Sequence, residues 1–269
     1  MRNEISTGLV RLYDRAARAG LLDRPLPRRA FESAYLAYKR AIEAGPVDGL
    51  REFAISGSTA IDVGANIGFF TLRLARWVGP AGQVIAIEPE ARNFASLRRR
   101  VVRAGMSQVV NCVQAAAADR HGQLRLAINR GHPGDHHLHD MGELIPAVTL
   151  DDLVAADTRP VSLLKIDVQG AEAMVLAGAR TLIRAHRPAV FVELHQPSLA
   201  RLGSSTREVI HTLLAFGYGG HILTRAGIAE PQDPETLVAQ SATGYIDVLF
   251  LPMSRTLPTG EDDMREHSE

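Results

Sequence analysis

One stretch, residues 58–90, constrains the fold of this chain more than any other. An apolar run over residues 60–63 is followed by a glycine-containing turn, residues 64–68, and then by apolar residues at helical spacing. Glycine and proline interrupt the chain at residues 79–82, and a second apolar run ends at Glu88. The pattern predicts strand, turn, helix, turn and strand. Parallel strands joined by a helix have their carboxyl ends at one edge of a sheet, where ligands of such folds bind.

The residues at this edge predict a nucleoside cofactor. The carboxylate of Glu88 can accept hydrogen bonds from the two hydroxyls of a ribose. A dinucleotide motif, GxGxxG, beginning at Gly64 would need glycine at positions where the chain has Asn66 and Phe69. Asp62 instead favours a ligand with an amino-acid end: its carboxylate would face an ammonium while N–H groups of the turn bind a carboxylate. S-adenosylmethionine (AdoMet) has both groups.

The predicted cofactor contacts fall into three groups. Asp62, Gly64, Asn66 and Gly68 surround the methionine end, Glu88 binds the ribose, and Pro89 and Ala116 lie near the adenine. Glycine lets a backbone approach a ligand closely, and the first N–H groups of a helix attract an anion. The alternative is a tight strand-to-helix turn that binds no ligand.

Composition limits the other classes of function. The chain has 269 residues, of which 46% are hydrophobic and 22% charged, which is globular composition. Its formal net charge is zero, so charge gives no argument for a nucleic acid or an anionic membrane as a partner. With Cys112 as its single cysteine, the chain can form no internal disulfide. We find no signal peptide or membrane span and expect a cytoplasmic enzyme.

The chain divides into three predicted parts. Residues 1–54 predict a helical cap over one sheet edge, and a substrate lid or a contact in a homo-oligomer is the alternative interpretation. Residues 55–252 form the predicted cofactor-binding domain, and residues 253–269 a disordered tail. The glycine-containing loop at residues 132–139 holds four histidines. Three interpretations of this loop stay open: substrate contact, metal binding, or a polar loop with no specific role.

Two later strands supply the candidate catalytic residues. Residues 161–168 are nearly all apolar, as in a buried parallel strand, and bring Asp167 to the edge. Residues 188–194 form the next strand, where Glu193 and His195 share a face and suit a general base or a pair of metal ligands. The structural alternatives are a helix N-cap for Asp167 and a buried hydrogen-bonded pair for the other two.

Four motifs in order along the chain resemble those of the FkbM family of AdoMet-dependent methyltransferases. They are IDVGANIGFF at residues 61–70, EP at 88–89, TLDDL at 149–153 and KIDVQGAE at 165–172. VLFLP at 248–252 is similar to the last strand of the family, and the resemblance spans roughly residues 55 to 252. Gln169 departs from the family, which usually has glutamate there; this weakens any role for a carboxylate at 169 and leaves Asp167 and Glu172 intact.

The resemblance implies an α/β protein with the Rossmann-like class I methyltransferase fold. Such a fold has a mostly parallel seven-stranded sheet with helices on both faces and a final antiparallel hairpin. The resemblance also implies methyl transfer to an oxygen, typically a hydroxyl of a sugar, polyketide or other small natural product. The alternatives are a nucleotide-binding oxidoreductase and a noncatalytic protein that keeps the fold. A divalent metal as a further cofactor is not favoured.

Overall fold

The structure is a computed structural model that describes residues 33–34, 36–37, 47–128, 136–224 and 227–253. The predicted N-terminal cap, the predicted tail and half of the histidine loop therefore lie largely outside the described residues. A short 3₁₀ helix, Gly49–Phe53, opens the continuous part of the chain and buries Leu50 in the core.

Twelve strands are assigned within the described residues, and they form two sheets. In chain order they are β1 (Thr59–Val63), β2 (Gln83–Ile87), β3 (Val110–Val113), β4 (Ala116–Ala117), β5 (Gly122–Ala127), β6 (His137–Leu138), β7 (Glu143–Val148), β8 (Val161–Ile166), β9 (Ala189–Leu194), β10 (Tyr218–Thr224), β11 (Gly227–Ile228) and β12 (Ile246–Pro252). The main sheet has the order β11-β10-β12-β9-β8-β1-β2-β3.

The main sheet confirms the predicted fold class. Strands β3, β2, β1, β8 and β9 run parallel, and β12 runs antiparallel to both β9 and β10. Seven strands thus form the mostly parallel sheet with its closing antiparallel hairpin, and the two-residue β11 adds an eighth at one edge. β1 lies at the centre, where the strand order reverses between β2 and β8, and ligands of such sheets bind at that reversal.

Helices cover both faces of the sheet. They are α1 (Thr71–Val78), α2 (Ala91–Arg103), α3 (Leu150–Val154), α4 (Glu172–Ala177), α5 (Arg180–His186), α6 (Gln196–Arg201), α7 (Thr206–Ala215) and α8 (Pro234–Thr243). The apolar residues of α1 and α2 belong to the core on one face, and those of α4, α5 and α7 to the core on the other.

The burial of the central strands explains their unbroken apolar sequence. Ile61 and Val63 of β1 belong to one core, and Ala60, which precedes Ile61, belongs to the other. Successive side chains of a strand point to opposite faces, so a strand covered on both faces requires apolar residues at every position. Thr59 and Asp62 are the exceptions in β1, and both are completely buried.

The second sheet lies between β3 and α3 in the chain and has the order β4-β7-β5-β6. β3 of the main sheet ends at Val113, and Ala116, which is predicted to lie near the adenine, pairs with Ala147 of β7 in the second sheet. Ala116 packs with Leu126 and Ile145 in a small core of its own.

The TLDDL segment connects this insertion to the main domain. The hydroxyl of Thr149 accepts a hydrogen bond from the Asp152 N–H and caps α3. The carboxylate of Asp151 accepts hydrogen bonds from the N–H groups of Thr181 and Leu182, at 3.1 and 2.8 Å, in the first turn of α5. The segment therefore has a structural explanation that requires no ligand.

Candidate functional site

The turn after β1 bends back on itself through left-handed backbone. Gly64, Asn66 and Gly68 have φ angles of 74°, 50° and 85°, a region that glycine and asparagine tolerate best. The N–H groups of Gly64 and Ala65 donate to the Ile87 carbonyl, at 3.0 and 2.9 Å, which ties the turn to the end of β2.

Close packing within the protein leaves no room for a side chain at either of the two glycines. A Cβ on Gly64 would lie 1.8 Å from the Asp167 carbonyl oxygen, and one on Gly68 would lie 2.7 Å from a methyl group of Leu97. Packing within the protein thus gives a reason for these glycines beyond the predicted approach of a ligand, which stays a prediction. The turn after β8 occupies the space in which a side chain at position 64 would lie. The turns after β1 and β8 are therefore in direct contact.

Glu88 lies at the end of β2 and is only 5% exposed. Its Oε2 accepts a hydrogen bond from the Asn66 N–H at 2.8 Å, and its Oε1 accepts one from the Glu90 N–H at 2.9 Å. Burial raises the pKa of Glu88 to about 7, because an ionised carboxylate loses hydration there. Glu90 in turn caps α2 through the N–H groups of Arg92 and Asn93. Glu88 thus joins the glycine turn to the start of α2, and its contact with a ribose stays a prediction.

The carboxylate of Asp62 is bound by groups of the chain itself. Its Oδ2 accepts a hydrogen bond from the Thr71 hydroxyl at 2.6 Å, and the Lys165 ammonium lies 3.1 Å from its Oδ1. The sequence predicts that the Asp62 carboxylate faces the ammonium group of a ligand. In the structure the ammonium in this position is that of Lys165, because β1 and β8 are neighbours and Asp62 pairs with Lys165 in the register.

Lys165 links the two turns at the edge of the sheet. Its ammonium donates to the carbonyls of Val63 and Gly64, at 3.1 and 2.8 Å, and lies 3.6 Å from Oδ2 of Asp167. It also lies 5.1 Å from the centre of the Phe70 ring. Lys165 thus contacts two carboxylates, those of Asp62 and Asp167.

Asp167 and Glu193 are brought together by Gln169. One amide nitrogen, Nε2 of Gln169, lies 3.2 Å from Oδ1 of Asp167 and 2.9 Å from Oε2 of Glu193. Two of the three predicted catalytic residues, Asp167 and Glu193, therefore contact the same side chain, that of Gln169. The alternative role of Asp167 as a helix N-cap is wrong, because α4 begins at Glu172 and its N-cap residue is Ala171.

His195 lies next to this cluster but not on the strand. β9 ends at Leu194, and His195 is the N-cap residue of α6, so the prediction that His195 and Glu193 share a strand face is wrong in that detail. The His195 ring stacks on Tyr245 with 3.9 Å between ring centres, and its Nδ1 lies 2.7 Å from Oγ of Ser198.

Glu172 has a structural place beneath the cluster. It is 2% exposed, and its Oε1 accepts a hydrogen bond from the Gly170 N–H at 3.1 Å, so Glu172 caps this turn. Burial raises the pKa of Glu172 to about 7.

Two predicted cofactor contacts remain, Pro89 and Ala116. Pro89 follows Glu88 directly and is partly exposed. Ala116 lies in the second sheet, as described above. Within the described part of the chain, no group of three His, Cys, Asp or Glu side chains is arranged to hold a metal ion. None of the helices described above has the length and hydropathy of a transmembrane span.

Comparison with known proteins identifies the family. A family model described as the methyltransferase FkbM domain matches residues 62–219, more than half of the chain. The chain belongs to the FkbM methyltransferase family. The matched stretch includes every predicted site residue, from Asp62 to His195.

Relatives of this FkbM protein include one curated enzyme and several solved structures. The 31-O-demethyl-FK506 methyltransferase FkbM of Streptomyces tacrolimicus is 29% identical over 197 residues, which cover 60% of this chain and 73% of that enzyme. The methyltransferase FkbM of Methylobacillus flagellatus KT is 20% identical, with a TM-score of 0.47 over 73% of this chain and 44% of that one. The chain thus spans less than half of that protein. An AdoMet-dependent O-methyltransferase of Thermotoga maritima is 13% identical, with a TM-score of 0.43 over 82% of this chain and 73% of that one.

Family membership confirms the resemblance noted in the sequence and identifies the chain as an AdoMet-dependent methyltransferase. Which residues contact AdoMet, which residue removes a proton, and which atom receives the methyl group stay predictions.

Two residues that make central contacts in this site, Gln169 and Tyr245, had no predicted role. Gln169 lies in one of the four motifs, and Tyr245 lies in none of them. The signal for Tyr245 is topological: β12 runs antiparallel to β9, so the start of β12 lies beside the end of β9.

Proposed function

We propose that this FkbM protein methylates a hydroxyl oxygen of a small natural product or a sugar-containing metabolite, in the cytoplasm. The contact between the two turns supports this proposal best. Gly64 lies against Asp167, and Lys165 is bound to both turns. A cofactor held at the first turn would therefore lie beside the carboxylates at the second, where an acceptor must bind.

The chain offers AdoMet a set of groups that fits its parts. The ribose hydroxyls would bind Glu88, whose buried carboxylate accepts two backbone N–H groups and keeps further lone pairs on both oxygens. The methionine end would lie along Gly64, Asn66 and Gly68, and the adenine over Pro89 towards Ala116. AdoMet supplies a methyl group that its sulfonium has already activated.

We propose that Asp62 contributes to this site indirectly, by holding the Lys165 ammonium in place. Direct contact of Asp62 with the ligand ammonium would require Lys165 or Thr71 to move, since both hold the carboxylate in the structure. Asp62 would then fix Lys165 and, through it, the Val63 and Gly64 carbonyls at the start of the turn.

The chain's own contribution to the chemistry is alignment and removal of a proton. Because the donor is activated, the main requirement is to hold the acceptor oxygen in line with the methyl group. A hydroxyl becomes a better nucleophile when it loses its proton, and Asp167 or Glu193 would accept that proton. His195, whose ring stacks on Tyr245 beside this pair, is the third candidate base.

Binding and turnover test this proposal separately. Titration of the purified protein with AdoMet and with NAD, followed by calorimetry and thermal denaturation, should show binding and stabilisation by AdoMet only. Saturation a hundredfold above Kd stabilises a protein by about 2.7 kcal/mol, which is readily measured as a rise in melting temperature. Incubation with AdoMet and a panel of hydroxylated metabolites should then yield S-adenosylhomocysteine and a product heavier by one methylene, detected by mass spectrometry.

The two alternative functions predict different results. An oxidoreductase would be stabilised by NAD alone, and a noncatalytic protein would bind AdoMet without forming S-adenosylhomocysteine with any acceptor. Methylation at nitrogen or carbon would contradict the oxygen assignment and leave the methyltransferase assignment intact.

A further inference from the structure

Gln169 holds the two carboxylates of the cluster through a single amide group. Nε2 carries two hydrogens, and its distances to Asp167 and Glu193, 3.2 and 2.9 Å, allow one hydrogen bond to each. The two acidic side chains come from the ends of different strands, β8 and β9, so local sequence does not bring them together.

The orientation of this amide is determined by its other end. The Tyr245 hydroxyl donates to Oε1 of Gln169 at 3.4 Å, which directs the oxygen towards Tyr245 and the nitrogen towards the carboxylates. The Gln169 backbone has a φ of 56°, a conformation that a residue other than glycine adopts with some strain. Three side chains, from the residue after β8, from β9 and from the residue before β12, therefore contact Gln169, which is held in an unfavourable backbone conformation.

The charges around the cluster are mostly negative. Asp167 and Glu193 bring two carboxylates, Glu172 of α4 repels Asp167 electrostatically, and Asp247 of β12 pairs with Glu193 in the register of the sheet. Lys165 is one cation near the cluster, and it is shared with Asp62. Carboxylates this close repel each other unless a cation or a hydrogen-bond donor lies between them.

We propose that Gln169 is a positioning residue whose amide hydrogens clamp Asp167 and Glu193 and take the place that a divalent cation would otherwise fill between them. A carboxylate at position 169 would turn this clamp into three carboxylate groups, which is a donor set for a hard cation such as Mg²⁺ or Mn²⁺. The role of the pair towards an acceptor rests on the proposed function, but the clamp itself does not.

Gln169→Glu tests the clamp with little change in shape. It keeps the side-chain size and the backbone conformation, but replaces the donor with an acceptor that is charged at neutral pH. Gln123→Glu, at an exposed position of β5, is the matched control for an added carboxylate. The measurements are the melting temperature between pH 5 and pH 8 and calorimetric titration with MnCl₂ alone, neither of which needs an acceptor.

We expect Gln169→Glu to melt several degrees below Gln123→Glu at pH 8, and the difference to shrink at pH 5, where the cluster can take up protons. MnCl₂ should bind Gln169→Glu saturably and restore its melting temperature, with no such effect on wild type or the control. Equal melting curves for the two variants at every pH, or Mn²⁺ binding by wild type at this cluster that Gln169→Glu does not strengthen, would overturn the proposal.

A second variant keeps the test valid if Gln169→Glu does not fold. Gln169→Gly removes the amide, relieves the positive φ and adds no charge, so it isolates the loss of the clamp. We expect this variant to bind Mn²⁺ weakly and to be less stable than wild type, by an amount that grows with pH. If it shows neither effect, the clamp assignment is wrong. Titration of wild type with AdoMet separates the two proposals, because failure to bind AdoMet contradicts the proposed function and leaves the MnCl₂ results as they are.

Discussion

The environment of Glu88 shows how one residue can serve both structure and ligand binding. Two backbone N–H groups, from the glycine turn and from the start of α2, occupy one lone pair on each carboxylate oxygen. These hydrogen bonds hold the carboxylate in a fixed direction before any ligand arrives, and preorganised groups bind with a smaller loss of conformational entropy. The sequence identified the residue, and the structure explains why its side chain stays in place.

Replacement of Glu88 by alanine should weaken AdoMet binding about a hundredfold. Two charge-assisted hydrogen bonds to a ribose are together worth about 3 kcal/mol, which corresponds to that factor in Kd. Calorimetric titration with AdoMet measures the change, and Glu230→Ala, at an exposed glutamate, is the control. An unchanged Kd in a Glu88→Ala protein that melts like wild type would show that the ribose lies elsewhere.

At the scale of elements, the site depends on the close approach of two strand-to-helix turns. β1 and β8 are neighbours in parallel register, so their following turns leave the sheet side by side. Gly64 has no side chain where the Asp167 backbone passes, and the Asp167 N–H donates to the Val63 carbonyl at 3.1 Å. Lys165 adds an ammonium bound to carbonyls of the first turn and to a carboxylate of the second.

Gly64→Ala should therefore destabilise the protein by more than backbone strain alone explains. The new Cβ would lie 1.8 Å from the Asp167 oxygen at a φ of 74°, so the two turns must separate. Gly105→Ala is the matched control, because Gly105 has a φ of 69° and nothing within 4 Å of an added Cβ. We expect a loss of about 1–2 kcal/mol for Gly105→Ala and at least about 3 kcal/mol for Gly64→Ala.

Chemical denaturation of the two variants measures this difference directly. Equal losses of unfolding free energy would mean that the second turn yields without resistance, and the close contact would then have no energetic role. A Gly64→Ala protein that stays folded should also bind AdoMet more weakly than Gly105→Ala.

At the scale of the whole molecule, two buried carboxylates make stability depend on pH near neutrality. Burial raises the pKa values of Glu88 and Glu172 to about 7, above the ordinary value of 4.5. A carboxyl whose pKa is higher in the folded state binds more protons folded than unfolded between those two pH values. The free energy of unfolding therefore falls as the pH rises from about 4.5 to about 7.

We expect wild type to be more resistant to urea at pH 5 than at pH 8. The contribution of each group is bounded by its shift in pKa and is at most about 3 kcal/mol. Glu172→Gln and Glu88→Gln remove one titrating group each and should flatten the dependence, as measured by urea midpoints at several pH values. A midpoint that rises steadily from pH 5 to pH 8 in wild type would contradict the burial of these groups as ionisable carboxyls.

Sequence patterns predicted the elements of the main sheet well because its strands are covered on both faces. Buried parallel strands must be apolar at nearly every position, and the turns that follow them carry glycine, so both leave a clear signal. The second sheet left a weaker signal in the sequence. Its short strands β4 and β6 have two residues each, too few for a repeating pattern to be recognised.

The amino-acid sequence alone was enough to establish the family, the fold class and the position of Glu88, Asp167 and Glu193 at one edge of a sheet. These properties follow from local motifs and from the rule that parallel strands end at the same edge. The pairing of Asp62 with Lys165, the clamp of Gln169 on two carboxylates and the stacking of His195 on Tyr245 required the three-dimensional structure. Each joins residues that are far apart in the chain, and only the register and crossing of strands bring their side chains within hydrogen-bonding or stacking distance.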